Sequence, residues 1–166
     1  WTSDVLLVAY DERTNALAAR LWWLMRYFGC TAALLDGGLE AWTRAGLPLA
    51  TGSTKCVPTA VTRLEPDVSM TIAATDIVYH LERPTLTLID ARAPERFSGE
   101  TEPLDTRAGH IPGAVNRPFK EDLDESGQIK PAAELAAAYA ALIPAKESPV
   151  VVHCRTGHQA SQTFFI

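Results

Sequence analysis

Paired cysteines are what this sequence most plainly lacks. Its 166 residues hold three, Cys30, Cys56 and Cys154. An odd number without CxxC or CxxH spacing supports neither a disulfide framework nor a zinc knuckle, and suits a reducing, cytoplasmic setting. Long apolar runs are missing as well. Val5–Tyr10 (VLLVAY) falls far short of the roughly 20 residues that span a bilayer, so no membrane helix is expected. There is no basic excess either. Fifteen Lys and Arg stand against 20 Asp and Glu, a net charge of −5, which gives no general pull toward nucleic acid or anionic lipid. The bases present lean to arginine, eleven against four lysines, and arginine suits forked recognition of oxyanions. With 47% hydrophobic and 21% charged residues, the chain has a globular balance and is neither a disordered tail nor a collagen-like repeat.

Periodicity lays out an α/β protein. Val5–Tyr10 reads as a strand buried on both faces of a parallel sheet. Leu17, Leu21, Leu24 and Phe28 then fall at helical spacing and stop at Gly29. Ala32–Leu35 is a second strand and Leu39–Ala45 a short helix. Residues 50–67 lose periodicity, carry two prolines and read as a linker. A helix near Ala74–Glu82 precedes a strand, Thr85–Asp90 (TLTLID), that ends in a carboxylate. Residues 91–113 read as irregular, with a short extension at Ala114–Asn116. An alanine-rich helix starts at Pro131 and turns Leu135, Tyr139 and Leu142 inward. The strand Pro149–His153 leads into a turn at Cys154 and a last helix. β-α-β order of this kind argues for parallel sheet. Two strand–turn–helix units echo each other, with Asp11 and Cys154 at matching places 143 residues apart.

The turn Cys154-Arg155-Thr156-Gly157-His158-Gln159 carries the chemistry. Ligands bind at the carboxyl ends of parallel strands. A tight turn there aims backbone N–H groups into one concavity, and the helix start adds positive potential. A thiolate gains those donors, and so does an anionic substrate. Gly157 permits a left-handed backbone. The competing reading is a small apolar residue at a strand end, and Cys30 and Cys56 are given that reading. A cysteine phosphatase needs an Arg six residues after its cysteine, where this chain has Ala160, so the phosphate clamp is missing. A metal site from His153, Cys154 and His158 has no second cluster to complete it. No metal and no organic cofactor is expected.

On these residues the chain resembles the rhodanese family of sulfurtransferases, in its tandem-domain thiosulfate and 3-mercaptopyruvate branch. LIDARAPERFSG (88–99), GHIPGAVNRP (109–118) and VHCRTG (152–157) are similar to successive signatures of the catalytic domain. LLDGGLEAWTRAGL (34–47) resembles the close of a first, non-catalytic domain, in which an acidic residue such as Asp11 takes the cysteine's place. The resemblance implies a rhodanese-like open parallel sheet flanked by helices, with partial tandem domains. Residues 1–49 would be the second half of the non-catalytic domain, 50–67 a linker and 68–166 the catalytic domain. Both ends read as truncated, the second just after the active-site loop, leaving a last helix too short to stand alone. The function implied is sulfur transfer through a Cys154 persulfide, from a small anionic donor to a thiol or cyanide. Arg96, Arg155, Thr156, Gly157, His158 and Gln159 are the implied donor-binding residues. Arg155 leans the loop toward thiosulfate, Thr156 toward 3-mercaptopyruvate, and thiosulfate is favoured. His110 is expected to hold its own loop by hydrogen bonding. The alternative is a non-catalytic binding or scaffold fragment, and pairing of the truncated domains would make the chain self-associate.

Overall fold

Parallel strand pairing organises the chain, seen in a computed structural model that describes residues 5–55, 57, 63–81 and 86–166. In the first unit, β1 (Leu7–Ala9) pairs in parallel with β2 (Ala32–Leu34) across helix α1 (Ala16–Tyr27), and α2 (Gly38–Arg44) follows. In the second, β3 (Thr87–Asp90) is the central strand, with β4 (Val115–Asn116) and β5 (Val150–His153) parallel to it on either side. Helices α3 (Ala74–Leu81), α4 (Pro94–Ser98), α5 (Ala132–Ala140) and α6 (His158–Phe165) complete it. This is an α/β fold of parallel sheets flanked by helices. Cys56, Glu82, Thr85 and part of the 50–67 segment lie outside the described residues.

Three expectations need correction. The apolar run Val5–Tyr10 is not a strand buried on both faces. Only Leu7–Ala9 is extended and only Ala9 is buried, while Val8 is 49% exposed. Among the described residues β1 has one partner, β2, and a two-stranded ribbon cannot cover both of its faces. The leucine stripe of α1 is likewise not its buried face, since Leu17 and Leu21 are exposed and Ala16, Ala18 and Ala19 are buried. The helix packed along α1 is α6. Residues 91–113, expected to be irregular, contain α4. Pro94 fixes its first turn, and left-handed Gly99 ends it.

The last helix answers the concern over its length. Eight residues make a marginal helix in isolation, but α6 is packed along α1, with Ala160, Ser161, Gln162 and Thr163 buried. Trp22 of α1 meets Phe165 edge-on at 4.8 Å between ring centroids, with Phe164 at 6.4 Å. The two units are tied elsewhere too. The Asp36 carboxylate accepts from the Ile129 N–H at 2.8 Å, and the Arg13 guanidinium donates to the Glu125 carbonyl. Inside the second unit, Asp122 accepts from Arg117 at 2.7 Å and from the Tyr139 hydroxyl at 2.6 Å. Burial and that bond push the Tyr139 phenol up.

The Trp22–Phe165 contact should show as coupling. In a double-mutant cycle of Trp22→Ala and Phe165→Ala followed by denaturant unfolding, the two losses should fall short of additivity by about 0.5–1.5 kcal/mol. Strict additivity would mean that the rings pack independently.

Candidate active site

β5 ends at His153, and Cys154 opens the turn into α6. The Gly157 N–H donates to Cys154 Sγ at 3.2 Å. Gly157 is the left-handed N-cap of α6 (φ 85°), and this is a conformation that side chains rarely adopt. A Cβ there would also lie 2.9 Å from an Arg20 guanidinium nitrogen, so the Arg20 side chain would have to shift. The floor beneath the cysteine is apolar: half-buried Cys154 packs on Ala16, Ala91 and Phe119. A thiolate in this place has a backbone donor on one side and the start of a helix beside it, both favouring negative charge.

The matching turn of the first unit shows what such a cradle holds. The Asp11 carboxylate accepts from the backbone N–H groups of Arg13 (3.1 Å), Asn15 (2.9 Å), Leu17 (3.0 Å) and Ala18 (3.4 Å). Asn15 is the left-handed N-cap of α1, at φ 61°. It lies four residues after Asp11, whereas Gly157 lies three after Cys154. The echo therefore covers geometry as well as sequence, with one loop a residue longer.

A chain of alternating charges runs from the sheet to the cysteine loop. Asp90, fully buried at the end of β3, takes both Arg92 Nε (3.0 Å) and Nη2 (2.7 Å), and the Arg92 N–H as well. Arg92 reaches Glu102 at 3.5 Å, and Glu102 is gripped by Arg96 at 2.8–3.1 Å. Arg96 also bonds Asp105 (3.0 Å), and Asp105 takes Arg155 Nε at 2.7 Å. Burial would raise the Asp90 pKa, but the Arg92 bonds and the His153 and Arg92 charges outweigh it and hold the carboxyl below its usual range. Arg96, helped by the Leu104 and Asp105 N–H groups, draws Glu102 down to about 2. His153 leans on this chain from β5, its Nε2 3.7 Å from Asp90. Burial pushes its pKa down against the pull of Asp90.

Of the residues expected at the site, Arg155, Thr156 and Gly157 lie in the turn after Cys154, while His158 and half-buried Gln159 open α6. Arg96 and Arg155 meet on Asp105. Thr156 Oγ1 and His158 Nδ1 share a 3.0 Å hydrogen bond at the mouth of α6. His110 acts as expected: its Nδ1–H donates to the Phe97 carbonyl at 2.7 Å, and its ring stacks on Phe97 at 3.7 Å. Cys30 is buried, with its thiol 3.5 Å from the Phe28 carbonyl. No metal-ligating cluster occurs among the described residues. Sequence reading missed Arg20, which stacks on Trp23 at 4.8 Å and lies against Gly157. It also missed Asp90, Arg92, Glu102 and Asp105. The carboxylate ending TLTLID and the arginine two residues later were the available signal.

A thiol at a β-strand end, cradled by the N-terminus of the following helix on a parallel α/β sheet, defines a rhodanese-type site. Residues 73–166 match the rhodanese-like domain, and the chain belongs to that family. It is 39% identical over 165 residues to a probable 3-mercaptopyruvate sulfurtransferase of Pseudomonas aeruginosa, covering 98% of this chain and 58% of that protein. A putative thiosulfate sulfurtransferase of Mycolicibacterium smegmatis is 31% identical over 99% of this chain and 61% of its own length. Among solved structures, SseA, a 3-mercaptopyruvate sulfurtransferase of Escherichia coli, superposes with a TM-score of 0.82 at 33% identity, over 95% of this chain and 59% of that one. The chain thus spans about 60% of the length of these relatives. The expectation of a tandem protein truncated at both ends is corrected by the same matches. The Mycolicibacterium relative and the 3-mercaptopyruvate sulfurtransferase of Leishmania major (TM-score 0.80, 25% identity, 46% of that chain) align along 99% and 98% of this chain. That end-to-end match supports one rhodanese-fold sulfurtransferase unit.

The charged groups set an acid limb. Asp90, Glu102 and His153 all have folded pKa values below their ordinary ones of 3.8, 4.5 and 6.5. Stability from each is present above the ordinary value and lost as pH falls through the folded one. Unfolding free energy should therefore be level above about pH 7 and decline as pH drops, most steeply below about pH 4.5. Asp90→Asn should cost about 3–5 kcal/mol at pH 7, as Arg92 is left buried without its partner. Chemical denaturation across pH 2–8 checks both statements.

Proposed function

We propose that the chain moves a sulfane sulfur from a small anionic donor to a thiophilic acceptor through a persulfide on Cys154. The observation that supports this best is the Gly157 N–H on Cys154 Sγ at the start of α6. With thiosulfate as donor, the Cys154 thiolate attacks the outer sulfur. The S–Sγ bond forms as the S–S bond of thiosulfate breaks, and sulfite leaves with the bonding pair. The product is Cys154–S–S⁻, with total charge unchanged. Cyanide or a thiolate then takes the outer sulfur and returns the Cys154 thiolate. Splitting one transfer into two displacements lowers each barrier, and the loop amide serves the sulfur anion in both.

Arg96, Arg155, Thr156, Gly157, His158 and Gln159 form the donor site in this reading. The two guanidiniums take the anionic end of the donor, and the helix start takes the remaining charge. The donor favoured is thiosulfate, a compact dianion suited to two guanidiniums on one side of the sulfur. The names of the relatives divide between the two donors, so the preference rests on Arg155.

Intact mass before and after thiosulfate should show a gain of one sulfur that cyanide reverses, and Cys154→Ser should show none. Thiosulfate should give a higher kcat/KM than 3-mercaptopyruvate. A folded wild-type chain that gains no sulfur from either donor would leave a binding or scaffold role for the fold.

A further inference from the structure

Asp105 occupies the place that the donor site reserves for its substrate. Its carboxylate is held by two guanidiniums, Arg96 Nη2 at 3.0 Å and Arg155 Nε at 2.7 Å, the same two assigned above to the donor's anionic end. We infer that Asp105 is a built-in carboxylate that competes with the donor for these guanidiniums and must yield before a small oxyanion can bind. The inference rests on the donor-site reading.

Three features distinguish Asp105 from a structural partner. It is 38% exposed at its side chain and Arg155 44%, so the pair between them is a weak, solvent-screened one. Glu102 is 4% exposed and holds Arg96 through three contacts, so Arg96 stays placed when Asp105 leaves. The loop also does not need the Asp105 side chain. The backbone N–H groups of Leu104 and Asp105 both donate to Glu102 Oε1 at 3.0 Å, which fixes the turn independently.

The consequence is a lowered apparent affinity for anions. Asp105 must leave the two guanidiniums before any donor can use them, so it weakens every anionic donor by the same factor, the reciprocal of the fraction of sites it leaves open. Removing its charge should therefore help mono- and dianionic donors alike.

The test is sulfate protection of Cys154 against iodoacetamide at constant ionic strength, on wild type, Asp105→Asn and Asp105→Ser. Sulfate and alkylation report on anion binding whether or not the chain transfers sulfur, so this arm stands apart from the proposed reaction. The half-protecting sulfate concentration should fall about three- to fivefold in either variant, the size of a surface ion pair. For the reaction, KM for thiosulfate and for 3-mercaptopyruvate should fall by a similar factor with kcat within about twofold. Equal or weaker sulfate protection in a folded variant overturns the inference, since Asp105 would then be positioning Arg155 for the anion. Two substitutions are used so that a failure of one to fold leaves the other to decide.

Discussion

The buried pair of Asp90 and Arg92 is the constraint from which the cysteine-bearing end of the sheet is built. A carboxylate with no solvent exposure at the end of a central strand is costly to desolvate. Here the cost is offset by forked guanidinium bonds, a backbone N–H and a further Arg92 bond to the Gly109 carbonyl at 2.8 Å. That last bond reaches across to the loop carrying His110, and Arg92 also faces Glu102. A single pair thus anchors two segments that sequence alone would leave as loose coil. From Glu102 outward the charges keep alternating until Arg155, and the pairs become steadily more exposed along the way. The inner end of the chain is rigid and structural. The outer end, in water, is open to exchange.

The two strand–turn–helix units show how one backbone device serves two ends. In the first, the turn donates four N–H groups to Asp11, which brings its own negative charge and fills the cradle. In the second, the turn is one residue shorter and holds a sulfur that takes a single N–H at 3.2 Å. A carboxylate saturated by four donors is a cap for α1. A thiolate with one close donor keeps lone pairs for reaction. The same electrostatics that stabilise helix α1 are, around Cys154, available to a reacting anion.

Much of this could be seen in the residues. The helical spacing from Leu17 to Phe28 with its stop at Gly29, the TLTLID strand and the Cys154 turn all lie where pattern put them, within a residue or two. The matching of Asp11 with Cys154 was visible as well. What failed did so for tertiary reasons. VLLVAY is apolar at every position, and local pattern cannot report that its ribbon has two strands among the described residues. The leucines of α1 outweigh its alanines on any hydropathy scale, yet the alanines are the buried ones. Arg20, Glu102 and Asp105 have no period at all. They matter through partners that lie 3 to 137 residues away in sequence, and only folding brings those pairs together.

The site also lies on a seam. Cys154 rests on Ala16, the first residue of α1, and Gly157 lies against Arg20, one turn further along the same helix. The turn at Cys154 belongs to the second unit by sequence, but Ala16 in the cluster beneath it and Arg20 beside Gly157 come from the first. Helix α6, too short to hold its shape alone, is packed along α1 and meets it in the Trp22–Phe165 pair. The orientation of the Gly157 N–H toward sulfur therefore depends on how two helices pack, not on the turn alone. A unit whose own cradle is filled by Asp11 still has work to do: it positions the cradle that is not.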